Sequence, residues 1–259
     1  MCETCGCGDT ELVSVELHES LLAGNDRTAR HNREHFARQG LLAVNLMGSP
    51  GSGKTAVLEA TARTLASPAP ASRARHTGLR LGALSGDLAT DYDAQRLAAA
   101  GIRSLSITTG SACHLDAAMV HHALHELGAE DLDLLFIENV GNLVCPAVYD
   151  LGQAVNVVAL SVTEGDDKPL KYPVMFRKAD LVLLTKVDLL PHLPQVSPAR
   201  IEDALARVMP EPAAIRFSAV TGQGVAPWIA WLAGRLAGRI AEPIEEQSGS
   251  RMERVSATR

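Results

Sequence analysis

Gly48-Ser49-Pro50-Gly51-Ser52-Gly53-Lys54-Thr55 sets the reading of the whole chain. The octet fits G-x-x-x-x-G-K-[ST]. An apolar run, Leu41-Leu42-Ala43-Val44-Asn45-Leu46, leads into it, and an amphipathic pattern over 55–65 leaves it. That strand-loop-helix setting is the context the motif requires. Gly48, Gly51 and Gly53 let backbone N–H groups turn inward around phosphate oxygens, with Ser49 and Ser52 in the same cradle. The helix N-terminus adds the positive end of its dipole. Lys54 is expected to reach the β- and γ-phosphates, and the Thr55 hydroxyl to ligate Mg²⁺.

On either side of the octet, short apolar runs alternate with helical patterns. Strands are predicted at 41–46, 79–84, 102–107, 132–137, 155–162, 181–184 and 214–217. Helices are predicted at 55–65, 94–100, 114–127, 198–208 and 225–236. Such alternation means βαβ units. The predicted fold class is α/β: a P-loop NTPase with a mainly parallel sheet flanked by helices, plus a flexible N-terminal cysteine-rich segment. The expected domains are a metal-binding segment and lead-in helix over 1–38, a nucleotide domain over 39–238, and a disordered tail over 239–259. Residues 67–77 read as a loop. Trp228 and Trp231, three apart on a helix, read as packing.

Composition removes several function classes. A net charge of -6 argues against nucleic acid as the main partner. No apolar run is long enough to span a bilayer, so no membrane partner is expected. The polar start is not a signal peptide.

The base is read from the second half of the chain. Guanine presents N1–H and N2–H₂ donors side by side, and one carboxylate can accept both. Asp188 in Thr185-Lys186-Val187-Asp188 is placed for that, with the Lys186 stem over the base plane. Ser218-Ala219, after the last predicted strand, supplies the other half of a guanine clamp, a backbone N–H for O6. The usual GTPase pattern is Asn-Lys-x-Asp. Thr185 replaces the bracing Asn, which predicts a modest loss of affinity.

Two acids end predicted strands near the loop: Asp87 in Leu84-Ser85-Gly86-Asp87, and Glu138 in Leu134-Leu135-Phe136-Ile137-Glu138. Both are assigned to Mg²⁺ and to sensing the γ-phosphate. Asp91 and Asp93, in the loop after Asp87, are lesser candidates for the same role and read first as a solvated helix start. No glutamine follows Gly141 to orient a water, which predicts slow intrinsic GTP hydrolysis.

Five cysteines remain. Cys2, Cys5 and Cys7 cluster beside the α-amine, an amine-plus-thiolate donor set that suits Ni²⁺, Cu or Zn²⁺. Three thiols at such spacing cannot all pair internally, which disfavours a disulfide framework. Thiols kept for metal need a reducing compartment, which points to the cytoplasm. Cys113-His114, read as starting the helix over 114–127, and Cys145 in Leu143-Val144-Cys145-Pro146 could be a second soft metal set or simply buried thiols. Two histidine pairs stand at helical i, i+4 spacing, His31 with His35 and His121 with His125; such pairs can bind metal, but most are solvated, and these read as solvated.

These strings together resemble the HypB family of hydrogenase nickel-incorporation GTPases. The carrying residues are Met1-Cys2-Glu3-Thr4-Cys5-Gly6-Cys7-Gly8, the octet, and Gly86-Asp87-Leu88-Ala89-Thr90. Thr109-Gly110-Ser111-Ala112-Cys113-His114-Leu115-Asp116-Ala117 and Ile137-Glu138-Asn139-Val140-Gly141-Asn142-Leu143-Val144-Cys145-Pro146-Ala147 add to them. So does Ser161-Val162-Thr163-Glu164-Gly165-Asp166-Asp167-Lys168-Pro169-Leu170-Lys171-Tyr172-Pro173. The resemblance runs from residue 1 to about residue 236. It implies a metallochaperone that delivers Ni²⁺ to the large subunit of [NiFe]-hydrogenase beside other nickel-insertion accessory proteins, gated by GTP. It implies a tight Ni²⁺ site at Cys2, Cys5 and Cys7. It also implies a weaker Ni²⁺/Zn²⁺ site at Cys113, His114 and Cys145, near the interface of a GTP-dependent homodimer. Some relatives carry a histidine-rich stretch after the cysteine loop; this chain has none. A urease-type nickel GTPase would leave Cys2, Cys5 and Cys7 unexplained, and a P-loop small-molecule kinase would leave Asp188 with Ser218-Ala219 unexplained.

Overall fold

The computed structural model describes residues 15–66, 78–87, 90–110 and 112–241. Cys2, Cys5 and Cys7, the predicted loop over 67–77 and the tail from 242 lie outside the described residues. The strands are β1 (Leu42–Met47), β2 (Leu81–Asp87), β3 (Arg103–Thr108), β4 (Leu134–Glu138), β5 (Val155–Ser161), β6 (Leu181–Thr185) and β7 (Ala214–Arg216). The helices are α1 (Val15–Arg38), α2 (Lys54–Ala66), α3 (Tyr92–Ala99), α4 (Ala117–Leu127), α5 (Lys168–Lys171), α6 (Pro173–Arg177), α7 (Pro198–Val208) and α8 (Val225–Ala241).

Seven strands form one sheet in the order β3-β2-β4-β1-β5-β6-β7, and every pairing is parallel. A parallel sheet needs cover on both faces, so its central strands are apolar throughout. All residues of β1, β4, β5 and β6 are buried. Alternation along β1 divides the core. Leu42, Val44 and Leu46 face Val57 and Leu58 of α2 and Trp228 of α8. Ala43 points the other way, into a cluster with Phe36 of α1 and Leu124 of α4. A third cluster packs β5 and β6 against Met175 and Phe176 of α6 and Ile201 of α7. Trp228 is fully buried, donates its indole N–H to Thr61 Oγ1 at 2.8 Å and stacks on Trp231.

α1 docks on the domain through a buried amide. Asn32 Nδ2 donates to the carbonyls of Ala117 and Leu151, at 2.8 and 3.1 Å. Arg33 pairs with Asp150 at 2.6 Å beside it. Because all strands run one way, the loops after β1, β2, β4 and β6 emerge at one edge, where α/β sheets bind ligands.

Candidate nucleotide and metal site

The octet turns from β1 into α2. At Gly48 an added Cβ would collide with the Ala159 carbonyl of β5, so glycine is required for the loop to cross the sheet edge. Lys54 folds back over its own loop, and Nζ donates to the Gly48 and Ser49 carbonyls at 3.2 Å each. Burial pushes its pKa down, opposed by Glu138, Asp93 and Glu164. The Ser49 hydroxyl donates to Glu164 Oε2 at 2.5 Å. Glu164 is itself locked by a capping box with Ser161. Sequence reasoning quoted Glu164 within a string and gave it no role; the Ser-x-x-Glu spacing of that box was the available signal.

Thr55 Oγ1 lies 2.8 Å from Glu138 Oε1 and 3.0 Å from Asp93 Oδ1. Asp93 therefore faces the Thr55 hydroxyl, and its reading as part of a solvated helix start is corrected. Its place in the first turn of α3, which packs on α2, brings it there. Asp87 lines the same cleft of about 500 Å³, with its Oδ1 accepting the Thr90 N–H at 3.1 Å. Glu138 is 3% exposed, and burial raises its carboxyl to about 7 against the pull of Thr55 and Lys54. Its second oxygen is buried without a hydrogen-bond partner. Hydroxyl, carboxylates and an orphaned buried oxygen form the hard-donor set that suits Mg²⁺.

The two loops assigned to the base lie against each other. The Ser218 hydroxyl donates to Asp188 Oδ1 at 2.5 Å, and Ala219 follows it at the end of the β7 connection. Lys186 adopts a left-handed conformation, φ 59°, and its Nζ donates to the Gly51 carbonyl at 2.6 Å. The Thr185 hydroxyl donates to the Ser52 carbonyl at 2.6 Å. Thr185 thus braces the phosphate loop from the position where the usual pattern has Asn.

Cys113, His114 and Cys145 converge: one ligand atom from each lies within 4.8 Å of the others. The two Sγ atoms are 3.1 Å apart. The His114 ring stacks on Tyr149 with centroids 3.8 Å apart, and burial lowers its pKa, favouring the neutral imidazole that binds metal. Cys113 and His114 do not begin the helix, as the sequence suggested. Asp116 caps α4 by accepting the Met119 N–H at 2.7 Å, so both ligands sit in the preceding loop.

One loop joins the two sites. Asn139 Oδ1 accepts the Leu115 N–H at 3.2 Å, and Asn142 Nδ2 donates to the Cys113 carbonyl at 3.3 Å. Asn142 also bridges to Gly48. An added Cβ at Gly141 would meet Pro50 of the phosphate loop at 2.8 Å. The segment between Glu138 and Cys145 is thus packed on both the phosphate loop and the metal trio.

Comparison with known proteins then fixes the family. The family model "CobW/HypB/UreG, nucleotide-binding domain" matches residues 42–215. Hydrogenase maturation factor HypB of Azotobacter vinelandii is 46% identical over 255 residues, 98% of this chain and 76% of that protein. The chain belongs to the HypB family. The Escherichia coli K12 HypB is 44% identical over 88% of this chain and 74% of its own length. The crystal structure of HypB from Archaeoglobus fulgidus superposes with a TM-score of 0.74 at 40% identity, covering 83% of this chain and 100% of that one. HypB from Helicobacter pylori, solved in complex with nickel, gives 0.74 at 37% identity over 83% and 96%. The chain is thus a hydrogenase maturation factor of the HypB type with a nucleotide-binding domain. No helix of the described residues is long and apolar enough to cross a membrane.

Proposed function

We propose that this chain is a GTP-hydrolysing nickel metallochaperone. It binds Ni²⁺ and passes it to the large subunit of [NiFe]-hydrogenase, working with other nickel-insertion accessory proteins. Nucleotide state gates transfer and homodimerisation. The observation that carries the reading is the shared loop: Gly141 packs on Pro50, while Asn142 holds the Cys113 carbonyl.

Lys54 and the N–H groups of Gly51, Ser52 and Gly53 would cradle the phosphates of GTP, and Asp188 with Ser218-Ala219 would read guanine. Thr55, Glu138 and Asp87, joined by Asp93, would hold Mg²⁺, which supplies positive charge at the β- and γ-phosphates. Glu164 holds the Ser49 side of the loop. Cys113, His114 and Cys145 would take Ni²⁺ or Zn²⁺ as cargo, and Cys2, Cys5 and Cys7 would form the tight Ni²⁺ site. Thiols kept as ligands fit a reducing, cytoplasmic setting.

The test is metal titration of the full chain carrying Cys2→Ser, Cys5→Ser and Cys7→Ser, with GDP and then with a non-hydrolysable GTP analogue. Gating predicts a several-fold difference in affinity, the usual range for coupling between sites. Equal affinities in the two states would remove the gate.

A further inference from the structure

The two histidine pairs are not separate. α1 and α4 lie side by side, and His31 and His35 face His121 and His125 across the seam. Ring centroids are 5.0 Å apart for His31–His121, 4.7 Å for His121–His125 and 5.8 Å for His35–His125. The first two pairs meet edge to face, at 71° and 84°. His31 and His125 are exposed; His35 and His121 are half-buried.

The spacing suits shared coordination. With metal–nitrogen bonds of about 2.1 Å, each ring centre lies roughly 3.2 Å from the ion, so two ligands at about 90–110° have centroids roughly 4.5–5.3 Å apart. The two edge-to-face pairs fall in that window, with His35 just beyond it.

A fixed tautomer points the same way. Asn32 Nδ2 donates to two carbonyls, Ala117 and Leu151, so its Oδ1 must accept. The group against that oxygen is His121 Nδ1, at 3.1 Å. His121 therefore carries its proton on Nδ1 and keeps its lone pair on Nε2. An anchored N–H opposite a free nitrogen is how metal-binding histidines are oriented. His35 is less available: its Nε2 lies 3.1 Å from the Gln39 amide nitrogen, and its Nδ1 is buried with no hydrogen-bond partner. Burial and neighbouring imidazoles lower the pKa of both His35 and His121, which keeps them in the ligand form.

We propose that His31, His121 and His125 bind one imidazole-preferring divalent transition metal, Ni²⁺, Cu²⁺ or Zn²⁺, and so link α1 to α4. Among the described residues, only the Cys113 trio already holds three ligand atoms within 4.8 Å. Binding at the histidines thus requires the exposed His31 and His125 rings to turn, a picosecond-to-nanosecond motion.

The test is calorimetric titration of the full chain carrying serine at Cys2, Cys5, Cys7, Cys113 and Cys145, with each of the three ions alone. One ion per chain is expected for at least one metal, with a rise in Tm on binding. His31→Ala and His125→Ala, one on each helix, should each weaken binding at least tenfold and remove the rise in Tm. His192→Ala, an exposed histidine elsewhere, should change neither. No binding by any of the three ions overturns the site. So does full affinity in His31→Ala, since that is an ordinary i, i+4 pair on α4 acting alone. If the serine variant does not fold, the wild-type chain serves. Its stoichiometry must drop by one ion in the His31→Ala, His125→Ala double variant, and an unchanged stoichiometry overturns the proposal.

Discussion

The sulfurs of Cys113 and Cys145 lie 3.1 Å apart, although 32 residues separate them in the chain. The loop after β3 and the loop after β4 are brought together by Asn142, whose amide holds the Cys113 carbonyl. The shared hydrogen bond and burial push the Cys145 thiol above its ordinary value. Cys145→Ala should weaken Zn²⁺ and Ni²⁺ binding at this trio by tenfold or more, by removing one of three ligands. Asn142→Ala should weaken it less, by releasing the loop that aligns the sulfurs. Competition with a coloured chelator measures both, and equal losses would show that alignment matters as much as ligation.

Lys54→Ala and Thr55→Ala should each abolish GTP turnover. The first removes the charge aimed at the phosphates, and the second a hydroxyl held between Glu138 and Asp93. Phosphate release, followed alongside the fold by circular dichroism, checks them. Turnover persisting in Lys54→Ala would remove the loop from the chemistry.

Asp188→Asn should shift preference from guanine toward xanthine, whose C2 carbonyl accepts where guanine donates. Loss of a charge-assisted pair should cost on the order of 1.5–3 kcal/mol in GTP affinity. Ser218→Ala should produce a smaller loss of the same sign, because its hydroxyl steadies the carboxylate. Nucleotide competition gives both numbers, and unchanged GTP binding in Asp188→Asn would sink the assignment.

Glu138 makes nucleotide-free stability depend on pH. Its carboxyl is raised from 4.5 to about 7 by burial. Between those values the folded chain holds a proton that the unfolded chain has released, so stability falls as pH rises through that window. Glu138→Gln removes the buried charge. It should be more stable than the parent at pH 8, by up to ~3 kcal/mol, and show no such gain below pH 4.5. Denaturant titrations at both ends of the range decide it; a pH-independent difference contradicts the account.

The sheet was legible chiefly through its central strands, since β1, β4, β5 and β6 are short apolar runs buried throughout. Lys54, Thr55 and Glu138 could be singled out because their chemistry is carried by residue type within a short string, whereas Cys113, His114 and Cys145, 32 positions apart at their ends, stayed open between a metal set and buried thiols until the family resemblance joined them. Asp93 ranked only as a lesser candidate beside Asp91, since its aim depends on how α3 packs against α2. Glu164 was not legible, since its contact with Ser49 spans 115 residues. The histidine pairs were seen singly; their meeting is a property of the α1–α4 seam, which spacing within one helix cannot show. Thr185 looked like a departure, yet its hydroxyl reaches the Ser52 carbonyl because the threonine sits at the end of β6 beside the loop.

Asn45, a lone amide in the middle of β1, is bonded to Asn139 and Asn156, 94 and 111 residues further along the chain. No hairpin can satisfy it. During synthesis at about 5–20 residues per second, the first strand waits roughly 5–20 s for its second neighbour. Parallel pairings of this span are also intrinsically slow to close. The strand that carries the phosphate loop is made first and completed late. A nascent chain shorter than about 130 residues therefore carries β1 with neither neighbour made, and one shorter than about 160 residues has β4 to pair with but not yet β5.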